Sequence, residues 1–162
     1  MTKTLILVRH SLADAASVDK DFNRKLTSQG EKLAAKTAAL ILPHITGKLC
    51  VITSDAVRAY HTARIIAEVA NLPEELIFSE HFIYQTYSDE LFRHISSVPD
   101  AFDIIILTGH NPSVSELAAA FSNLNEALKP AEAVVLNFNT KNWAAISFDC
   151  VSRFVSPYSI IS

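Results

Sequence analysis

Leu5-Ile6-Leu7-Val8-Arg9-His10 is the stretch whose reading decides the fold. Four consecutive apolar residues that end in two polar ones suit a short strand covered on both faces, as inside a parallel sheet. Leu49-Cys50-Val51-Ile52-Thr53 and Asp103-Ile104-Ile105-Ile106-Leu107-Thr108 repeat the pattern, and Leu76-Ile77-Phe78 is a shorter version of it. Helical spacing fills the intervals. A helix is predicted from Thr27 or Ser28, where Ser28 and Glu31 have the form of a capping box; Leu33, Thr37, Leu40 and Ile41 recur along it and Pro43 stops it. Ser54 reads as the N-cap of a second helix, with Ala56, Ala59, Ala63, Ile66 and Ala70 as a small-residue stripe ending before Pro73. Ser88 to Ile95 reads as helical. Asn111 and Pro112 suit the N-cap and first position of a further helix. Residues 11–26 read as a loop, and residues 79–88 as an irregular aromatic segment. The tail offers two strands, Ala133 to Phe138 and Trp143 to Phe148, joined by a turn around Asn139 to Asn142.

Strands alternating with helices imply an α/β fold: three layers, a mostly parallel central sheet and helices on both faces. The chain has 162 residues, 49% hydrophobic and 19% charged, which suits one core-forming domain over residues 1–162 and excludes a disordered chain. Its net charge of −3, without a basic run, argues against a nucleic-acid surface. The apolar start is too short for a signal peptide and no run approaches a membrane span, so a cytoplasmic protein with no membrane partner is expected. Cys50 and Cys150 lie in apolar stretches without a CxxC partner; they could pair only with each other, and buried thiols in a reducing cytosol are the expectation.

In parallel sheets the functional crevice lies beyond the carboxyl ends of the strands. Three clusters fall there: Arg9-His10, Ser54 to Arg58, and Gly109-His110. Each alone is an ordinary strand end or helix start. Together they bring two guanidinium groups and two imidazoles to one edge, a gathering that needs an anion to balance it. A phosphoryl group fits: the arginines neutralise it and a neutral histidine attacks phosphorus.

Four stretches then resemble the histidine phosphatase superfamily, and within it the small SixA-type phosphohistidine phosphatases, which have the phosphoglycerate mutase-like fold. They are Leu5 to Ser11, Asp21 to Gly30, Thr53 to Ala63 and Leu107 to Pro112, in the family's order. The resemblance implies that His10 is the phosphorylated histidine, that Arg9 and Arg58 bind phosphate, and that His110 is the second pocket histidine. It implies metal-free, cofactor-free chemistry. The expected partner is a phosphorylated protein carrying phosphohistidine, or a small phosphorylated metabolite. His44, His61, His81 and His94 match no motif and read as helix, loop or surface residues.

Two departures shape the expectations. Ser11 stands where the family commonly has Gly, and is a candidate hydroxyl ligand to phosphate. No acidic residue after the third strand takes the general-acid place: Glu80 reads as a strand end, Asp89 and Glu90 as first-turn helix residues. Asp21 is the alternative general acid, against a structural role in which it pairs with Arg24. A phosphoramidate can release a protonated, neutral imidazole without an acid, whereas an alkoxide needs a proton. The alternatives are a phosphatase of small phosphoesters and a non-catalytic phosphate-binding module. A phosphomutase would need a cap for which the chain is too short. Specificity is expected from residues 11–24, 79–88 and 122–132.

Overall fold

The computed structural model describes residues 2–15 and 20–159; the part of the first loop expectation that falls on residues 16–19 lies outside them. Six strands form one sheet: β1 (Lys3–Arg9), β2 (Leu49–Ser54), β3 (Ile77–Glu80), β4 (Ile104–Gly109), β5 (Ala133–Phe138) and β6 (Cys150–Val155), in the order β3-β2-β4-β1-β5-β6. The β1–β4, β4–β2 and β2–β3 pairs are parallel, and β5 and β6 add antiparallel. Four helices cover it: α1 (Ser28–Ile41), α2 (Val57–Val69), α3 (Ser88–Ser96) and α4 (Ser113–Ala120). The expected three-layer α/β architecture is present.

The apolar runs are continuous because each strand feeds two cores. Leu5 and Leu7 pack with Leu91 and Ile95 of α3 and with Val114 and Leu117 of α4. Ile6 and Val8, pointing the other way, pack with Ala38 and Ile41 of α1 and with Ala63 and Ile66 of α2. Alternate residues of a strand face opposite sides, so both layers draw on the same four residues. Among the described residues no helix is long and apolar enough to cross a membrane.

Four local expectations are corrected. The cap of α1 is Thr27, whose hydroxyl accepts from Gly30 N–H at 2.9 Å; Ser28 is already the first helical residue, so the Ser28–Glu31 box does not form. Ala56, not Ser54, precedes α2; Ser54 ends β2, and its hydroxyl accepts from Ala56 N–H at 3.1 Å. Pro112 is the residue before α4, while the Asn111 side chain donates to the Leu128 carbonyl at 2.9 Å. The second tail strand is Cys150–Val155. Trp143–Ala145 is instead a 3-10 turn, its indole fully buried and donating to the Phe102 carbonyl at 2.9 Å. An aromatic-apolar run there marks an anchored turn and not a pleated segment.

Candidate functional site

The register aligns the strand ends. Arg9 lies opposite Gly109 and Thr53 opposite Thr108, so the chain leaves β1, β2 and β4 along one edge and delivers Arg9-His10, Ser54 and His110 together. The first turn of α2 adds Arg58, itself buried. The antiparallel β5 starts beside the end of β1, with Ala133 opposite Val8, so residues 128–132 arrive at the same edge. There Ala131 N–H donates to the Arg9 and His10 carbonyls at 3.1 and 3.2 Å.

His10 is only 7% exposed. Its Nδ1 lies 2.8 Å from the Ser11 carbonyl. A carbonyl only accepts, so Nδ1 carries the proton and Nε2 presents its lone pair. Arg58 Nε donates to that Nε2 at 3.4 Å. Burial, with Arg58 and Arg9 adding to it, pushes the His10 pKa down to about 4, so the ring is neutral near pH 7. The His110 ring centroid lies 5.1 Å away. Burial, then His10 and Arg58, push His110 down to about 3, and its Nε2 is 2.8 Å from Ser54 Oγ.

The arginines are held from behind. Arg9 Nη1 donates to the Leu128 carbonyl at 3.0 Å. Arg58 donates from Nη1 to the Asp21 backbone carbonyl at 2.7 Å and from Nη2 to the Asp21 carboxylate at 3.1 Å. Among the described residues, the buried side-chain nitrogens and oxygens without a partner are Arg9 Nε and His110 Nδ1. Buried polar groups are nearly always paired, and both exceptions fall in this one cluster.

Two sequence expectations change here. The Ser11 side chain is fully buried and its hydroxyl donates to the Gly30 carbonyl at 2.6 Å, while its N–H donates to Thr62 Oγ1 at 2.9 Å. Its hydroxyl ties β1 to α1 and is not a phosphate ligand. Asp21 accepts from Tyr84 O–H at 2.6 Å, from Arg24 at 3.1 Å and from Arg58. Tyr84 first, with the arginines, holds its carboxyl down at about 2. An ionised carboxylate has no proton to give near pH 7, so Asp21 is an anchor for Arg58 and the Arg24 pairing, and not a general acid.

The sequence reading missed Ser54 as the support of His110, the Leu128 carbonyl behind Arg9, and Tyr84, whose ring packs edge-on to His110 at 5.5 Å. Nothing local marks these partners; all are distant in sequence. His81, exposed as expected, sits on the rim: its Nδ1 is 2.8 Å from an Asp55 carboxylate oxygen, and its ring packs near Phe22 and Tyr84.

Fold and site thus define an α/β protein whose strand-end crevice gathers two arginines and two neutral histidines. Residues 5–82, which carry Arg9, His10 and Arg58, match the model of the histidine phosphatase superfamily (branch 1). The fold is SixA-like and phosphoglycerate mutase-like. The chain is similar to a protein histidine phosphatase SixA solved with tungstate, at TM-score 0.77 and 16% identity over 95% of this chain and 97% of that one. The SixA of Nakamurella multipartitia superposes at TM-score 0.75, 20% identical over 96% of this chain and 94% of that one. A phosphoglycerate mutase of Plasmodium falciparum gives 0.64, 20% identical over 99% and 94%. The family supports a phosphatase or mutase-type enzyme acting on phosphorylated substrates.

Proposed function

We propose that the protein is a phosphatase that works through a phosphohistidine on His10, with protein-borne phosphohistidine as the preferred substrate class. The observation that carries the reading is the His10 imidazole, fixed as the Nδ1–H tautomer with its Nε2 facing Arg58 and beside His110. The Nε2 lone pair attacks phosphorus in line; the new N–P bond forms as the bond to the leaving group breaks. Arg9, Arg58 and His110 hold the equatorial oxygens, where charge accumulates. Water then attacks the phosphohistidine, releases inorganic phosphate and returns His10 to its neutral form. An oxyanion in the related tungstate complex of SixA supports the choice of ligand.

The N–P preference rests on Asp21. With that carboxyl ionised, the leaving group does best when it needs no proton from the protein. A phosphoimidazole protonated on its distal nitrogen departs as neutral imidazole, and an alkoxide does not. A second reading, a small phosphoester substrate, is favoured by His81: hydrogen-bonded to Asp55 on the rim, it is a side chain able to carry a proton to an alkoxide.

The test is to incubate the protein with phosphoramidate or a phosphohistidine peptide, and in parallel with an alkyl phosphate, and to quench in alkaline denaturant. The expected result is phosphate mapped to His10, free phosphate released, and a higher kcat/KM for the N–P donor. His10→Ala should keep its fold and fall below roughly a thousandth of the parent rate. Substantial turnover by that variant would overturn the covalent mechanism. Binding of phosphate without any phosphoenzyme or release would make the protein a binding module. A higher kcat/KM for the ester that collapses in His81→Gln would favour the second reading.

A further inference from the structure

The two edges of the sheet are treated differently. The β3 edge is four residues long, ends in Glu80 and runs straight into a 3-10 turn. The β6 edge is six residues, Cys150-Val151-Ser152-Arg153-Phe154-Val155, and among the described residues it pairs with β5 alone. It contains no proline and a single charge. Exposed edges are ordinarily blunted by such devices, because their free N–H and C=O groups invite another strand. This edge also carries apolar side chains into solvent: Phe148 is 72% exposed, Val151 71% and Phe154 52%.

We propose that β6 pairs antiparallel with β6 of a second copy of this chain, about a two-fold axis at Val151, so that the two sheets become one. The choice of partner comes from the register. A two-fold axis normal to the sheet keeps each side chain on its own face, and directly opposed residues of an antiparallel pair share a face. Symmetric registers therefore place one residue opposite itself. With Arg153 at the axis, two guanidinium groups oppose each other. With Ser152 there, Val151 meets Arg153 and Phe148 meets Ser156. With Cys150 there, Asp149 meets Val151. Val151 at the axis sets Cys150 opposite Ser152 and, with the pairing continued into the two residues before the strand, Phe148 opposite Phe154 and Asp149 opposite Arg153, each twice.

The faces agree with this register. Phe148 packs against Phe121, which follows α4, and the Cys150 thiol donates to the Phe121 carbonyl, so even-numbered residues lie on the α3–α4 side. Phe154 is on that side too, walling a cavity of about 450 Å³ together with Leu124, Lys129 and Ser152. The partner's Phe148 would extend that wall. Val155, odd-numbered, is buried on the opposite face against the α1–α2 core, which places Asp149, Val151 and Arg153 on that side as well.

Sedimentation of the purified protein at tens of micromolar tests the proposal. A dimer is expected. Asp149→Arg and Arg153→Asp should each weaken it tenfold or more, since like charges then face each other across the axis. The double variant, with the charges exchanged, should restore it. Val151→Cys should form an intermolecular disulfide under mild oxidation, because opposed Cα atoms about 4.5–5.5 Å apart lie within disulfide reach. Arg153→Cys should not, as its two copies stand four residues apart along the pair. A monomer at these concentrations overturns the proposal, including one that binds an added strand-forming peptide. So does a dimer indifferent to both charge reversals, or an exchanged-charge variant that stays dissociated. None of these residues lies in the phosphate site, so phosphatase activity reports the fold of each variant.

Discussion

The hydroxyl of Ser11 shows how one residue's role is decided by what it reaches. Next to His10, it reads as a ligand; in the fold it donates to Gly30 and is fully buried. Ser11→Ala removes the hydroxyl's bond to the Gly30 carbonyl, which still accepts within α1, a loss of about 0.5–1.5 kcal/mol visible in urea unfolding. The same variant should keep kcat/KM for a phosphoryl donor within about twofold. A tenfold rise in KM at unchanged stability would return Ser11 to the phosphate site. Asp21 makes the same point with charge. Three donors hold it ionised, and its use is to brace Arg58 from outside the pocket.

At the scale of the element, Leu12 and the start of α1 meet backbone to backbone. The Thr27 hydroxyl caps the helix, Thr27 N–H donates to the Leu12 carbonyl, and the Gly30 backbone presses on that same carbonyl. A Cβ on Gly30 would stand 2.0 Å from Leu12 O, a backbone atom that cannot swing aside. Gly30→Ala should therefore push α1 off the segment that follows His10. The expected loss exceeds about 3 kcal/mol in thermal unfolding and carries turnover down with it. A variant as stable as the parent would mean that the junction yields freely. The capped start of α1 was partly legible, since a Thr-Ser pair before a helical stripe marks a helix start. Which of the two caps depends on where the helix must stand to meet β1, and local pattern does not carry that.

For the whole molecule, the two imidazoles link stability to pH. Both are neutral in the fold, at about 4 and about 3, against roughly 6.5 in the unfolded chain. Between those values the unfolded chain binds more protons, so stability rises with pH from about 3 to 6.5 and this contribution is flat above it. Thermal unfolding in phosphate-free buffer should show the midpoint falling steadily from pH 7 to pH 4, a cost on the order of a few kcal/mol. Asp21 works in the opposite acid range, its stabilisation lost only as pH drops from 4 toward 2. His110→Gln should flatten the fall between pH 6.5 and 4; an unchanged slope would mean that His110 is not held neutral.

The sequence by itself determined the first five strands, their ends to within a residue or two, and therefore the crevice. Apolar runs and helical spacing are local signals, and alternating strands and helices bring the carboxyl ends to one edge, so Arg9, His10, Arg58 and His110 could be placed together from the chain alone. The tertiary structure alone decided what those residues lean on. Ser11 finds its partner 19 residues away and Asp21 meets Tyr84 63 residues away. It also decided that the last strand is Cys150–Val155, whose solvent-facing residues lack the apolar run that betrays the buried strands. A strand's burial is written in its own residues. A hydrogen bond's partner is chosen by the packing of elements that the chain separates, and so becomes visible only when they meet.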